Sequence, residues 1–272
     1  MGLFDKKYCD ICGNKIGLFG NRKLEDGNLC KDCAAKLSPW FSERRHSTLQ
    51  EITDQLSYRE ANKSAVQAFR ITRDLGRNTK LLIDDTAHKF MVTDERDLAA
   101  ENPDVLGFDQ VTGCFLDIDE DSSELKQKDD SGKSVSFVPP RYEYSYDFYV
   151  TIRVNHPYFD EMKFRLNPSS VDTGERSMAG VDPNWRIGTG SINRNTAAGQ
   201  FYKYLNMGNE IKEAVNGMIQ ASSAPQPAAP QTEPAAAAAP AAGGPATVKC
   251  PWCGSETPTD SGKCKFCEGP LG

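Results

Sequence analysis

Apolar residues come in short bursts through the middle of this chain and on one helical face near residue 200, whereas both ends are polar and punctuated by cysteine pairs. Lys80-Leu-Leu-Ile-Asp84 and Lys89-Phe-Met-Val-Thr93 flank the polar stretch Asp85-Thr86-Ala87-His88, a pattern that predicts a β-hairpin. Further strands are expected at 105–111, 113–118, 142–154 and 159–166. The run from Tyr142 to Val154 is rich in aromatic and β-branched residues, which pack well on a half-buried pleated surface. Asn155-His156-Pro157 breaks that run before Tyr158. Farther on the period lengthens: Thr196 can cap a helix over 197–219 that puts Phe201, Tyr204, Leu205, Ile211, Val215 and Ile219 largely on one face. Ahead of the strands, Thr48 with Glu51 and Ser57 with Glu60 each match the S/T-x-x-E capping box, predicting two short helices at 48–56 and 58–69. Helices, six or seven strands, then one long helix describe an α+β fold.

Composition divides the chain into four segments. Residues 1–46 are a cysteine-rich head and residues 47–220 a central α+β domain whose single cysteine is Cys114. Residues 221–246 hold six prolines and one charge, too little apolar material for a core, and are expected to be a disordered Ala/Pro linker. Such a tether reaches about 80 Å as a polyproline-like rod or on the order of 30 Å as a flexible coil. Residues 247–272 form a second cysteine cluster.

No run of about 18 apolar residues is present to span a membrane. The start, MGLFDKKYCD, lacks the apolar core of a secretory signal, and Lys6 stands where a myristoylation motif requires Ser or Thr. The expectation is a cytoplasmic protein without a transmembrane segment. Eight of the nine cysteines lie in CxxC pairs, and in a reducing compartment that usage favours metal thiolates over disulfides. The formal net charge of −6 is uneven: Asp94 to Asp130 carries 13 acidic and 3 basic residues, whereas the first 46 residues carry 9 basic and 6 acidic. The tail is balanced, with 3 of each between Thr247 and Gly272. Neither end is the strongly basic patch of a tight nucleic-acid binder.

Zinc takes four soft ligands in a tetrahedron, and a CxxC turn lets two thiolates converge on one ion. Cys9-x2-Cys12 followed by Gly13 is such a knuckle, and Cys30-x2-Cys33 follows after seventeen residues. Between the pairs, Lys15–Phe19 and Arg22–Leu24 read as short strands, with Asp26-Gly27 turning the chain. Residues 31–41 begin as a helix that places Cys33 in its first turn, where the dipole favours a thiolate. This is treble-clef or zinc-ribbon logic. Cys250, Cys253, Cys264 and Cys267, with ten residues between the pairs, describe a minimal zinc ribbon for which the metal would be the core. Both sets offer four thiolates and no open position, so two structural Zn2+ sites are expected and no catalytic ones. A thioredoxin-like role for the tail CxxC lacks its βαβ context.

Cys9-Asp-Ile-Cys-Gly13, the stretch Leu24 to Cys33 and Leu37-Ser38-Pro39 resemble an uncharacterised bacterial family whose N-terminal zinc domain is described only as a domain of unknown function. Ser47-Thr-Leu-Gln-Glu51, Tyr58-Arg-Glu-Ala-Asn62 and Asn102-Pro-Asp-Val105 are similar to the rest of that family, so the resemblance covers most of residues 8–166 and implies no catalytic residues. The strand order and final helix resemble a bacterial pleckstrin-homology-like domain, an antiparallel barrel plugged by its C-terminal helix. The acidic insertion at 119–134 departs from a compact version of it.

Other signals fail on inspection. Asp117, Asp119 and Asp121 alternate like calcium ligands, but Ser122 replaces the turn glycine and Lys128 the bidentate Glu. Ser131-Gly-Lys-Ser134 echoes a phosphate loop with Gln127 in place of its first glycine, and a mobile acidic loop is the expectation there. Gly188-Thr-Gly190 ends in Asn193, which breaks the dinucleotide fingerprint. Cys114 reads as a buried structural cysteine, His88 and His156 as turn residues, and Trp185 as a loop anchor or an exposed recognition aromatic. The Tyr142/Tyr144/Tyr146 series reads as one strand face packing in a core or interface. With no nucleophile–base pair in view, the sequence points to a non-catalytic zinc-binding adaptor with a protein partner. The alternatives are nucleic-acid binding through Lys6, Lys7, Arg22, Lys23, Arg44 and Arg45, or membrane-surface binding by the central domain.

Overall fold

The structure, a computed structural model, describes residues 7–184, 196–223, 247–249, 256–258 and 263–264. It divides into two compact units, Met1–Pro225 and Gln226–Gly272.

In the first unit the head contributes β1 (Arg22–Lys23), β2 (Asn28–Leu29), α1 (Lys31–Ala34) and a 3-10 turn at Glu43–His46. Lys15–Phe19, expected as a strand, makes only an isolated bridge between Tyr8 and Lys15, and the first strand instead pairs with β2. The two short helices expected at 48–56 and 58–69 are one, α2 (Leu49–Ala68). Thr48 and Glu51 do form the capping box, but the Ser57 hydroxyl donates to the Thr53 carbonyl one turn back, so it sits inside the helix and caps nothing.

Two antiparallel sheets follow. The first is a meander, β3 (Arg73–Gly76), β4 (Lys80–Asp84), β5 (Lys89–Thr93) and, after the one-turn helix α3 (Leu98–Glu101), β6 (Leu106–Gly107). The β4–β5 hairpin is the expected one. Its turn is held by the Asp84 carboxylate, which accepts from the Thr86 and Ala87 N–H groups. β3 was hidden in sequence because Arg-Asp-Leu-Gly has no apolar alternation. Its Gly76 has φ +100°, and a Cβ there would stand 2.5 Å from the Thr79 carbonyl oxygen, so the turn into β4 requires glycine.

The second sheet is built on β7 (Val111–Lys128) and β8 (Ser134–Val154), with β9 (Glu161–Arg165) pairing β8 near its inner end at Tyr149–Arg153 and β10 (Val171–Gly174) pairing its middle at Tyr144–Tyr146. The loop expected at 119–134 is mostly strand: the β7–β8 ladder continues from Val111↔Val154 out to Lys128↔Ser134. Ladder bonds are made by the backbone, and where neither face is buried the side chains need no apolar alternation to reveal them. The long helix α4 (Ala197–Ser223) packs on β7, β8 and β10 and reaches β3. It continues past residue 220, where the linker was expected to have begun.

One core joins both sheets to α4. Phe201 meets Tyr146 and Phe148 edge-on at centroid distances of 4.9 and 5.1 Å, and Leu205, Ile211 and Val215 are fully buried beside them. Helix and sheet approach closely at Gly208, where a Cβ would stand 2.5 and 2.8 Å from the two methyls of Leu116. Gly208→Ala is expected to lower stability, by up to about 2 kcal/mol. Overpacking at about 1–3 kcal/mol outweighs the roughly 1 kcal/mol helix-propensity gain. A raised thermal midpoint would contradict this.

In the second unit β11 (Thr247–Lys249) pairs antiparallel with β12 (Glu256–Pro258). Among the described residues no helix is long and apolar enough to cross a membrane.

Candidate metal centre

The first knuckle closes when the Gly13 N–H donates to the Cys9 carbonyl at 2.8 Å and the Cys9 N–H to the Asn14 carbonyl at 2.9 Å. Gly13 stands at φ +71°, a left-handed conformation that costs glycine nothing. Asp10 ties this knuckle to the β1–β2 hairpin: its carboxylate accepts from the Asn28 N–H at 2.6 Å, and its own N–H donates to the Asn28 carbonyl at 2.9 Å. The hairpin delivers Cys30 to the N-cap of α1, where its sulfur accepts from the Cys33 N–H at 3.3 Å. Cys33 falls in the first helical turn, as expected.

The ligand atoms of Cys9, Cys12, Cys30 and Cys33 all lie within 4.8 Å of one another, and the Cys12 and Cys30 sulfurs are 3.7 Å apart. A tetrahedral zinc with bonds of about 2.3 Å needs sulfurs about 3.8 Å apart, so the set fits a metal ion such as zinc. Its electrostatics fit too. Burial pushes the Cys9 thiol up, but hydrogen bonds from the backbones of Cys12, Cys30 and Ile11 and from the Cys12 side chain outweigh it and bring the thiol down to about 6. Burial, followed by the sulfurs of Cys30, Cys12 and Cys9, drives the Cys33 thiol far above the ordinary range. A thiolate is favoured at Cys9 and resisted at Cys33, an imbalance that a bound dication would remove.

Of the tail cysteines only Cys264 is among the described residues, and it is buried. Cys250, Cys253 and Cys267 lie outside them.

The head has its own small core, Ile16, Leu24, Leu29, Leu37 and the three buried cysteines, completed by Ile52 of α2. Asp26 reinforces this by accepting from the Leu49 N–H at the start of α2. The packing of the cysteine-bearing head therefore extends past residue 46 into the helix. Farther along α2 the buried stripe turns polar: Gln55, Arg59 and Asn62. Arg59 pairs with Asp104 at 2.8 Å, both side chains almost wholly buried, and also donates to the Lys36 carbonyl of the head. The other Asp104 oxygen accepts from the Ser38 hydroxyl at 2.7 Å. Asn62 donates to the Asn102 side chain and the Pro103 carbonyl, and accepts from the Val105 N–H. Asn102 ends α3 at φ +54° and donates to the Arg59 carbonyl. Three of the stretches that carried the family resemblance, Leu37–Pro39, Tyr58–Asn62 and Asn102–Val105, thus meet in one buried network joining head, helix and sheet.

The remaining candidates take structural places. Cys114 is buried on β7, and burial pushes its thiol up to about 12 against a smaller opposing influence from Lys212. That thiol is unsuited to nucleophilic work. His88 occupies the β4–β5 turn at φ +53° and stacks on Phe108, while His156 packs against Tyr58 and Phe159, with burial holding it below the usual imidazole range despite Asp104. Tyr146 is buried, bonded to Glu120 and to the Met178 N–H, whereas Tyr142 at the outer end of the same face is exposed. Asp117, Asp119 and Asp121 alternate along β7, and Ser131-Gly132-Lys133 is the β7–β8 turn, gathered by Asp129. Trp185 and residues 188–193 lie outside the described residues.

Among known proteins, a family model described as "Domain of unknown function (DUF4428)" matches residues 7–55, the same stretch that the cysteine cluster and the first turns of α2 build together. No curated protein and no solved structure matches the chain.

Proposed function

We propose that the chain is a non-catalytic, cytoplasmic zinc-binding adaptor with a protein partner: a treble-clef head on a pleckstrin-homology-like body, and a tethered zinc ribbon formed by Cys250, Cys253, Cys264 and Cys267. The observation that carries the reading is the closed Cys9/Cys12/Cys30/Cys33 set, which spends all four coordination positions on protein sulfur and leaves none for water or substrate. The knuckle, hairpin and helix order of the head supports the treble-clef assignment. A four-strand meander, a second sheet and a terminal helix packed on it support the pleckstrin-homology-like one, an argument at the level of fold and not of function. The buried, high Cys114 thiol supports reading that cysteine as structural.

Joining a second recognition module through 221–246 raises the effective concentration for its contact. Pull-down with the intact chain and with a form lacking residues 221–272 tests the recruiting tail: loss of partners on deletion is the expected result, and an unchanged set counts against it. Metal analysis of the reduced chain is expected to return about two zinc ions per chain, and fewer would remove the ribbon.

A further inference from the structure

We infer that the zinc module docks on anionic phospholipid surfaces through the Leu18-Phe19 tip and the cationic groove beside it. Gly17-Leu-Phe-Gly20 is a tight turn, closed by the Gly20 N–H on the Gly17 carbonyl at 3.0 Å, and it holds Leu18 and Phe19 out at 80% and 88% exposure. Two adjacent large apolar side chains so exposed on a small module contribute little to its core. Directly beside them the Arg22 guanidinium donates to the Phe19 carbonyl at 3.3 Å. Arg22 also lines an open cleft of about 790 Å³ with Lys23, Arg44 and Arg45, against a single carboxylate, Glu25.

None of these four cations forms an ion pair among the described residues. Arg44 is anchored by donating to the Lys23 carbonyl at 2.6 Å, and burial, then the charges of Arg22 and Arg45, hold it below the usual guanidinium range. Four cations gathered against their mutual repulsion, with Glu25 the single carboxylate in the lining and no ion pair to any of them among the described residues, are complementary to an external anionic surface.

The apolar tip decides which surface. An anionic bilayer offers both terms side by side, hydrocarbon for Leu18 and Phe19 and headgroup charge for the cleft. Single-stranded nucleic acid would instead be met by successive aromatic platforms, and here one of the two tip residues is aliphatic. The acidic residues of β7 are not part of the cleft lining.

The test is co-sedimentation of the intact, zinc-loaded chain with vesicles of phosphatidylcholine alone and of phosphatidylcholine with about 30% phosphatidylserine. Binding is expected to the second only, and to weaken with added salt. Arg22→Gln with Arg45→Gln is expected to lower the partition about 25-fold, at about fivefold per cation, while sparing the Arg44 anchor. Leu18→Ser with Phe19→Ser is expected to abolish measurable sedimentation. Both pairs are exposed or line the open cleft, and unchanged zinc content of each variant verifies that the head is folded. Equal binding to both vesicles, binding to neither, or variants that sediment like the parent would overturn the proposal. So would a single-stranded oligonucleotide that binds where vesicles do not. The readout needs no protein partner, so its failure is distinguishable from failure of the adaptor reading.

Discussion

Stripping zinc from the intact chain with a strong chelator is expected to unfold the head while the two sheets and α4 stay folded. The head's apolar core is a handful of side chains around Leu24, Leu29 and Ile52, and three of its buried members are cysteines. Without a dication those sulfurs oppose one another, as the elevated Cys33 thiol indicates. Structural zinc supplies on the order of 10–16 kcal/mol of apparent binding energy in small zinc-finger peptides, far more than this core can replace. The body differs, because Phe90, Phe148, Phe201, Met162 and Val215 form a continuous interior that needs no metal. Amide hydrogen exchange on the zinc-loaded and chelated chains is the measurement: protection should vanish over residues 7–55 and persist in β4, β5, β8 and α4. Cys30→Ser should reproduce the pattern, since its hydroxyl can still cap α1 but no longer offers the metal a thiolate. Uniform retention of protection would show that the head stands without metal.

The second large effect is expected at the ion pair between α2 and the segment after α3. Arg59→Ala leaves the Asp104 carboxylate, fully buried, with only the Ser38 hydroxyl among the bonds described above, and breaking such a pair costs about 3–5 kcal/mol. The loss should appear as a lower urea midpoint for the intact chain. Because Arg59 also reaches the Lys36 carbonyl, exchange protection should fall on the head side of the junction as well. Arg59→Met combined with Asp104→Leu should cost clearly less than the two single changes summed, because no charge is then left buried alone. Strict additivity would mean that the pair contributes nothing as a pair.

The first cysteine set was legible because its signal is local. Two CxxC turns, the glycine after the first and the helix start at the second follow from the order of residues alone, and the four sulfurs converge. The β4–β5 hairpin was legible because two short apolar runs, buried on both faces, bracket a polar turn, and α4 because it buries one face and writes that burial into its period. The outer half of β7 was misread as a loop because nothing buries it. Helix α2 was read as two helices because Ser57 and Glu60 match a second capping box inside it, while the buried positions, Ile52, Gln55, Arg59, Asn62 and Val66, give no continuous apolar stripe to overrule that match. A stripe with a polar middle has no apolar rhythm. Polar residues at helical spacing, Gln55, Arg59 and Asn62, were the one available sign of it.

By itself, then, the sequence determined the four-sulfur head, the α+β class and the core face of the last helix, all properties of spacing along the chain. Only the tertiary structure decided why Ser38, Arg59, Asn62, Asn102 and Asp104 belong together, and that Arg22, bonded to the Phe19 carbonyl, shares a cleft with Arg44 and Arg45 from the far end of the head. The physical reason is that buried polar groups and surface patches are defined by partners remote in the chain. Neither a period nor a propensity carries information about which residues those partners are.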